Sequence, residues 1–211
     1  MRVTLMESTA FPDELCGAAS AICTNSDNPE RSLKHAMESG HTSVLEHSVF
    51  TFKVKGLSRA ALAQLTRHRL ASFDVMSQRF VQMKSWEAVL PKTICDSRFA
   101  EEAEQCIRNS MDLYRLMIDD GIPAEDARYV TPQAITTDLI MTMNARELLH
   151  FFGLRTCNRA QWEIRSLADR MLRICKSIAP KIFENAGPGC VAGNCPEKRP
   201  CGKPRDKNEW D

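Results

Sequence analysis

Residues 49–56, VFTFKVKG, alternate strictly between apolar and polar side chains. In an extended strand successive side chains leave opposite faces, so Phe50, Phe52 and Val54 share one face and Thr51, Lys53 and Lys55 the other. A strand of this kind is half-buried, which commits the chain to a sheet with at least one covered face. RVTLME near the start and the β-branched, methionine-rich AITTDLIMTMN read as further strands. The remaining periodic segments are helical. FPDELCGAASAIC opens with Pro12 and two acidic residues, as the positive end of a helix favours. NPERSLKHAMESG has Asn28 to cap, Pro29 in the first turn and Gly40 to stop.

SRAALAQLTRHR carries Ser58 as a cap and an apolar stripe of Ala61, Leu62 and Leu65, and on such a helix Gln64, Arg67 and His68 share one face. Residues 98–120 place Phe99, Ala103, Cys106, Ile107, Leu113, Tyr114 and Met117 at helical spacing, with Gly121 as the stop. ARELLHFFGLRT and AQWEIRSLADRMLRICKSIAPKIF read as helices on either side of a short break. Strands and helices do not alternate as βαβ units, so the expected class is α+β: a mixed α/β domain with a β-sheet and long helices. No glycine-rich dinucleotide loop follows a strand and there is no Walker sequence, so no Rossmann unit is expected.

The organisation expected is a single domain over residues 1–187 and a flexible Gly/Pro/Cys-rich tail over 188–211 with little to bury. No apolar run is long enough for a bilayer and no secretory signal opens the chain, so a cytoplasmic protein is expected. In that compartment the six scattered cysteines, Cys16, Cys23, Cys95, Cys106, Cys157 and Cys175, are expected to be buried reduced thiols rather than disulfides. Cys190, Cys195 and Cys201 cluster in the tail, but their steps are not a standard zinc spacing and no fourth ligand is near in sequence, so no metal is assigned.

The chemistry concentrates in RHRLASFDVMSQR, residues 67–79. Arg67, His68, Arg69 and Arg79 gather there with Ser72 and Ser77, around one loop, in a chain whose net charge is only +1. Arginine reads phosphate through paired, charge-assisted hydrogen bonds. A solvated basic helix end explains the cluster equally well at this point. A second stretch, SGHTSVLEH, sets His41 and His47 on either side of Glu46, with a turn capping the strand as its plain reading. A third, NARELLHFFGLRTCNRAQWEI, interleaves Asn144, His150, Arg155 and Arg159 with apolar residues that read as core. A nucleic-acid-interaction module that grips phosphate is the competing class. It calls for a broad basic face, which a pI near 7.6 does not suggest.

Taken in order, the three stretches resemble the flavin-dependent thymidylate synthases. RHRLASFDVMS fits that family's R-H-R, seven residues, S signature, with Arg69 to Ser77 at the right interval. GHTSVLEHSVFTF looks like its upstream histidine segment, and NARELLHFFGLR with AQWEI is similar to its C-terminal signature. The resemblance implies the family's fold and its reaction: reductive methylation of dUMP to dTMP, with methylenetetrahydrofolate as carbon donor, FAD as hydride carrier and NADPH as reductant. It implies a homotetramer whose active sites are shared between subunits, while charge, apolar run length and cysteine spacing lead us to expect no nucleic acid or membrane partner and no metal; a non-catalytic flavoprotein is a third class. By position, Gln64, Arg67, Ser77, Gln78, Arg79, Arg128 and Arg155 resemble the dUMP-binding set. His41, Ser43, Arg67, His68, Arg69, Asn144 and His150 resemble the FAD-binding set. Arg155, Ser77 and Arg67 are the expected catalytic residues, with Ser77 as a hydrogen-bond donor to the uracil rather than a nucleophile, since no activating base is visible beside it. Arg159 stands where some members have a histidine, and Cys23 falls near the flavin site in a loose local match.

Overall fold

A computed structural model describes residues 1–211. In chain order it contains β1 (Arg2–Ser8), α1 (Pro12–Thr24), α2 (Pro29–Glu38), a 3-10 turn at Thr42–His47, β2 (Val49–Ser58), α3 (Arg59–Leu65) and β3 (Ala71–Val75). There follow α4 (Lys92–Cys95), α5 (Ala100–Asp119), α6 (Ala124–Ala127), β4 (Thr136–Asn144), α7 (Ala145–Arg155) and α8 (Trp162–Ile178). The strands form one four-stranded sheet in the order β1-β2-β4-β3. This mixture of helices with a single sheet agrees with the α+β expectation. The alternation in β2 holds, for Phe50, Phe52 and Val54 are fully buried. In β4 the same rule buries Thr137, Leu139, Met141 and Met143. On the opposite faces of β2 and β4 the hydroxyls of Thr51 and Thr142 meet at 2.9 Å, which marks the register of the pair.

The chain divides into two compact units. The first comprises Met1–Arg2, Val54–Arg67 and Asp74–Leu139. Its core is Ile107, Met111 and Tyr114 of α5 with Ala127 and Ile135. The periodic stripe expected on this helix is therefore only partly buried: Phe99 and Leu113 stay 55% and 47% exposed. A helix packed along one narrow line buries only those periodic positions that face that line.

The second unit comprises Val3–Lys53, His68–Phe73 and Ile140–Asp211. Here α8 buries Ile164, Leu167, Ala168, Met171, Leu172 and Cys175, and Phe50, Phe152 and Phe183 stack edge to face. α1 meets α2 closely, because a Cβ on Gly17 would lie 3.0 Å from the Pro29 carbonyl oxygen. Asn28 caps α2 through Arg31 N–H at 3.0 Å. Asp13, buried at the start of α1, accepts the backbone N–H groups of Lys181 and Ile182 at 2.9 and 3.1 Å.

Several local expectations change. α3 stops at Leu65, with Thr66 as its cap, so Gln64 does not share a helix face with Arg67 and His68. The stretch 67–79 is not one loop, since Ala71–Val75 forms β3. α8 ends at Ile178, ahead of Pro180, because the residue before a proline is pushed out of helical backbone. In the tail one large side chain is buried after all. Trp210 is 1% exposed, its ring N–H donates to Asp169 at 2.8 Å, and Arg205 lies 4.5 Å over its ring while holding the same carboxylate at 2.7 Å. A capping box of Asp206 and Glu209 forms the short turn that presents it.

Candidate active site

In the first unit α3 with its cap Thr66, the turn after β3 and the segment after α6 line a cavity of about 480 Å³. Arg59, Gln78, Arg128 and Gln133 are its polar walls. Arg59 donates through Nη2 to the Met76 carbonyl at 3.0 Å, yet its Nε is buried with no partner. Burial lowers the Arg59 pKa and the neighbouring Arg128 charge lowers it further. Arg128 is steadied by its own Nε donating to the Glu125 carbonyl at 3.0 Å. Two guanidinium groups beside a cavity, one with an orphaned donor, repel each other and pay for desolvation until an anion joins them. A phosphate fits that need in charge and in hydrogen-bonding capacity.

Ser77, Gln78 and Arg79 follow β3 as a turn in which Arg79 N–H donates to Ser77 Oγ at 3.2 Å. That contact occupies an acceptor of the hydroxyl and leaves its O–H to donate. Arg79 pairs through Nε with Glu125 at 2.6 Å, in an ion pair with both side chains about half exposed. Gln64 is half-buried on α3, and Arg67 is exposed with no carboxylate partner.

In the second unit His68 lies between Glu147 and Arg155 of α7. Its Nδ1 is 2.9 Å from Glu147 Oε1, and Arg155 Nε donates to its Nε2 at 3.0 Å. His68 and Glu147 are each 5% exposed. Burial lowers the His68 pKa and outweighs the Glu147 hydrogen bond that raises it, while the Arg155 charge pushes it down further. The imidazole is thus neutral, with Nδ1–H donating to Glu147 and Nε2 accepting from Arg155. Phe151, 4.9 Å away edge to face, closes one side, and the exposed His150 stands 5.9 Å off. Burial also lowers the Arg155 pKa. His68, Glu147 and His150 are close enough to hold a metal ion. Both His68 nitrogens are already engaged, however, and the Arg155 cation opposes a second cation there.

Asn144 caps α7, accepting Glu147 N–H at 2.9 Å through its amide oxygen, which leaves the amide N–H groups for a ligand. Arg69 is exposed without a carboxylate. His41 and Ser43 sit exposed on the 3-10 turn, tied to the His68 group by neither a hydrogen bond nor an ion pair. The structure therefore brings His68, His150 and Arg155 together in one unit, and Ser77, Gln78, Arg79 and Arg128 in the other. Arg159 instead turns to the tail, donating to the Arg199 carbonyl, and Cys23 is exposed near the end of α1.

Three participants escaped the sequence reading. Arg59 had a faint signal, since a cation in the first turn of a helix opposes the helix dipole. Glu147 fits a plain capping pattern three residues after Asn144, which masks its contact with His68. Glu125 lies far in sequence from Arg79 and had no signal.

Comparison with known proteins gives a consistent answer. Residues 4–181 match the family model described as thymidylate synthase complementing protein. A flavin-dependent thymidylate synthase of Geobacter sulfurreducens is 44% identical, over 96% of this chain and 94% of its own length. One of Clostridium tetani is 37% identical, over 96% and 94%. One of Sulfolobus acidocaldarius is 43% identical over 78% of this chain, which spans 64% of that relative's length.

Proposed function

We propose that this chain, which belongs to the flavin-dependent thymidylate synthases, converts dUMP to dTMP by reductive methylation. Methylenetetrahydrofolate would donate the carbon and NADPH the reducing equivalents, on the family's own fold without a Rossmann unit, with residues 1–187 as the catalytic domain. The observation that carries this reading is the unpartnered Arg59 Nε beside Arg128 on the cavity of the first unit. It asks for an anion, and the dUMP phosphate is one. Gln78, Arg79 and Gln64 would add donors around the nucleotide, with Arg79 leaving Glu125 to do so.

FAD fits the remaining cations. Arg67 and Arg69 are exposed without carboxylates, as a pyrophosphate requires, and His41, Ser43, His68, Asn144 and His150 would hold or shape the rest of its site. When bound, FAD supplies the hydride chemistry. The protein's part is orientation and electrostatics. Ser77 O–H would donate to a uracil carbonyl. Arg155, fixed at Nε by His68, keeps its Nη groups free for the negative charge that develops on the ring as its carbon becomes nucleophilic. Donors already held in place need no reorganisation at that moment. Arg67 would lie between the two phosphate-bearing ligands contributed by neighbouring subunits. The exposed Leu113 and Leu116 of α5 are apolar surface that a second copy in a homotetramer would cover.

The test is tritium release from labelled dUMP by the purified full-length chain supplied with FAD, methylenetetrahydrofolate and NADPH. Release that requires every component is expected. A chain that binds neither flavin nor dUMP, or that binds both and releases no tritium, overturns the proposal.

A further inference from the structure

A cavity of about 280 Å³ opens between the α7–α8 connection and the tail, within the second unit. Four of the nine cysteines line it: Cys157 from the connection and Cys190, Cys195 and Cys201 from the tail. The tail cysteines lacked a fourth ligand in sequence, and the fold brings one from more than thirty positions away. All four are free thiols.

Three observations say what the cluster is for. First, the path of the tail here is held by few forces. Residues 192–204 are all exposed, so no apolar burial holds them to this course. Ordering backbone costs about 1–2 kcal/mol per residue. Against that stand the Asn158 amide on the Lys203 carbonyl at 2.8 Å, Arg159 on the Arg199 carbonyl and the Arg159–Glu197 ion pair at 3.8 Å, while the buried Trp210 anchors the chain only beyond this stretch. Small segments without a core are commonly fastened by a metal or a covalent bridge. Second, the loop that carries Cys190 and Cys195 is drawn tight. A Cβ on Gly189 would lie 2.4 Å from the Asn194 carbonyl oxygen and 2.7 Å from Pro196 Cδ, so only glycine fits at the base of the loop that carries the two cysteines. Third, the surroundings suit thiolates. The backbone N–H of Arg205 donates to Cys190 Sγ at 3.3 Å, and Lys203 lines the cavity with no carboxylate partner, while Arg159 is paired with Glu197 and Arg205 with Asp169 and Glu209.

We propose that Cys157, Cys190, Cys195 and Cys201 bind one zinc ion that fastens the tail to the α7–α8 connection. Zinc prefers four thiolates in a tetrahedron at about 2.3 Å. The four sulfurs do not converge as the ligand atoms of the His68 group do, and Cys201 Sγ donates to the Lys203 carbonyl at 3.4 Å, so the side chains turn inward on binding. Each thiol gives its proton to solvent as its sulfur bonds the metal. The resulting site carries two negative charges, which Lys203 and the backbone N–H of Arg205 offset in part. The site is structural, since four protein ligands leave no open position.

Metal analysis of the purified full-length chain tests this directly. One equivalent of zinc per chain is expected, lost in both Cys157→Ser and Cys195→Ser and retained in Cys106→Ser. Cobalt in place of zinc should give thiolate charge-transfer bands and tetrahedral visible bands. Should the serine variants fail to fold, alkylation of the native parent protein decides. The four cysteines should resist until a chelator is added, while the exposed Cys23 and Cys106 react at once. A parent chain without zinc, zinc retained in Cys157→Ser, alkylation of the four as fast as Cys23, or recovery of the four as disulfides each overturns the proposal.

Discussion

The two cationic groups of this molecule settle their charge in opposite ways. Around the cavity of the first unit, Arg59 and Arg128 face each other with no carboxylate side chain to balance them, and a buried donor is left over. In the second unit, Arg155 is held by a neutral His68 that is held in turn by Glu147. The first arrangement is uncomfortable until an anion arrives, so it stores binding capacity. The second is satisfied as it stands, so it stores geometry.

Substitutions should separate the two. The largest effect is expected from Arg128→Ala. Hydrogen bonds to a charged group are worth roughly 1.5–3 kcal/mol, so dUMP affinity by calorimetry should fall about 10- to 100-fold. The melting temperature should hold or rise, because relief of the Arg59 repulsion offsets the lost side chain. A drop in stability with affinity unchanged would break the contrast between the groups. Glu147→Ala should do the reverse. It leaves the buried Nδ1–H of His68 without an acceptor, at a cost of about 1–3 kcal/mol in chemical denaturation. With Arg155 no longer fixed, kcat should fall more than KM for dUMP rises.

Acid should act on the second group alone. Because burial lowers the folded His68 pKa, the unfolded chain takes up a proton below about pH 6.5 that the folded chain refuses. Stability should therefore decline as pH drops through that value and level off once pH is below the folded pKa. His68→Gln should flatten that part of the stability profile, and an unchanged profile would mean that His68 does not titrate as placed. The smallest effect is expected at the half-exposed Arg79–Glu125 pair, which is worth no more than about 1 kcal/mol. Glu125→Gln frees Arg79 and should tighten dUMP binding by a few-fold, with stability almost unmoved. Weaker binding would mean that Glu125 positions Arg79 rather than competing for it.

Much of the scaffold was readable from residue order. The period-two pattern of β2 and the caps of α2 and α7 are local signals, and they survived folding because burial agreed with them. Termini were less readable. Whether α3 runs on past Leu65 depends on the strand that follows at Ala71, which local propensity does not report. The candidate site was legible as residue types, in Arg67, His68, Ser77, Arg79, Arg128, His150 and Arg155, but not as partnerships. Arg59 and Glu147 went unread, because their partners lie in other segments of the chain.

The sequence by itself determined which segments could pair as strands or coil as helices, and where cationic and thiol side chains were concentrated. Those properties depend on neighbours within a few positions. Only the tertiary structure decided that Arg59 loses its water beside Arg128, that His68 stays neutral against Glu147, and that Cys157 faces the tail. Desolvation, charge coupling and ligand convergence depend on distance through space, and chain order alone does not specify that distance.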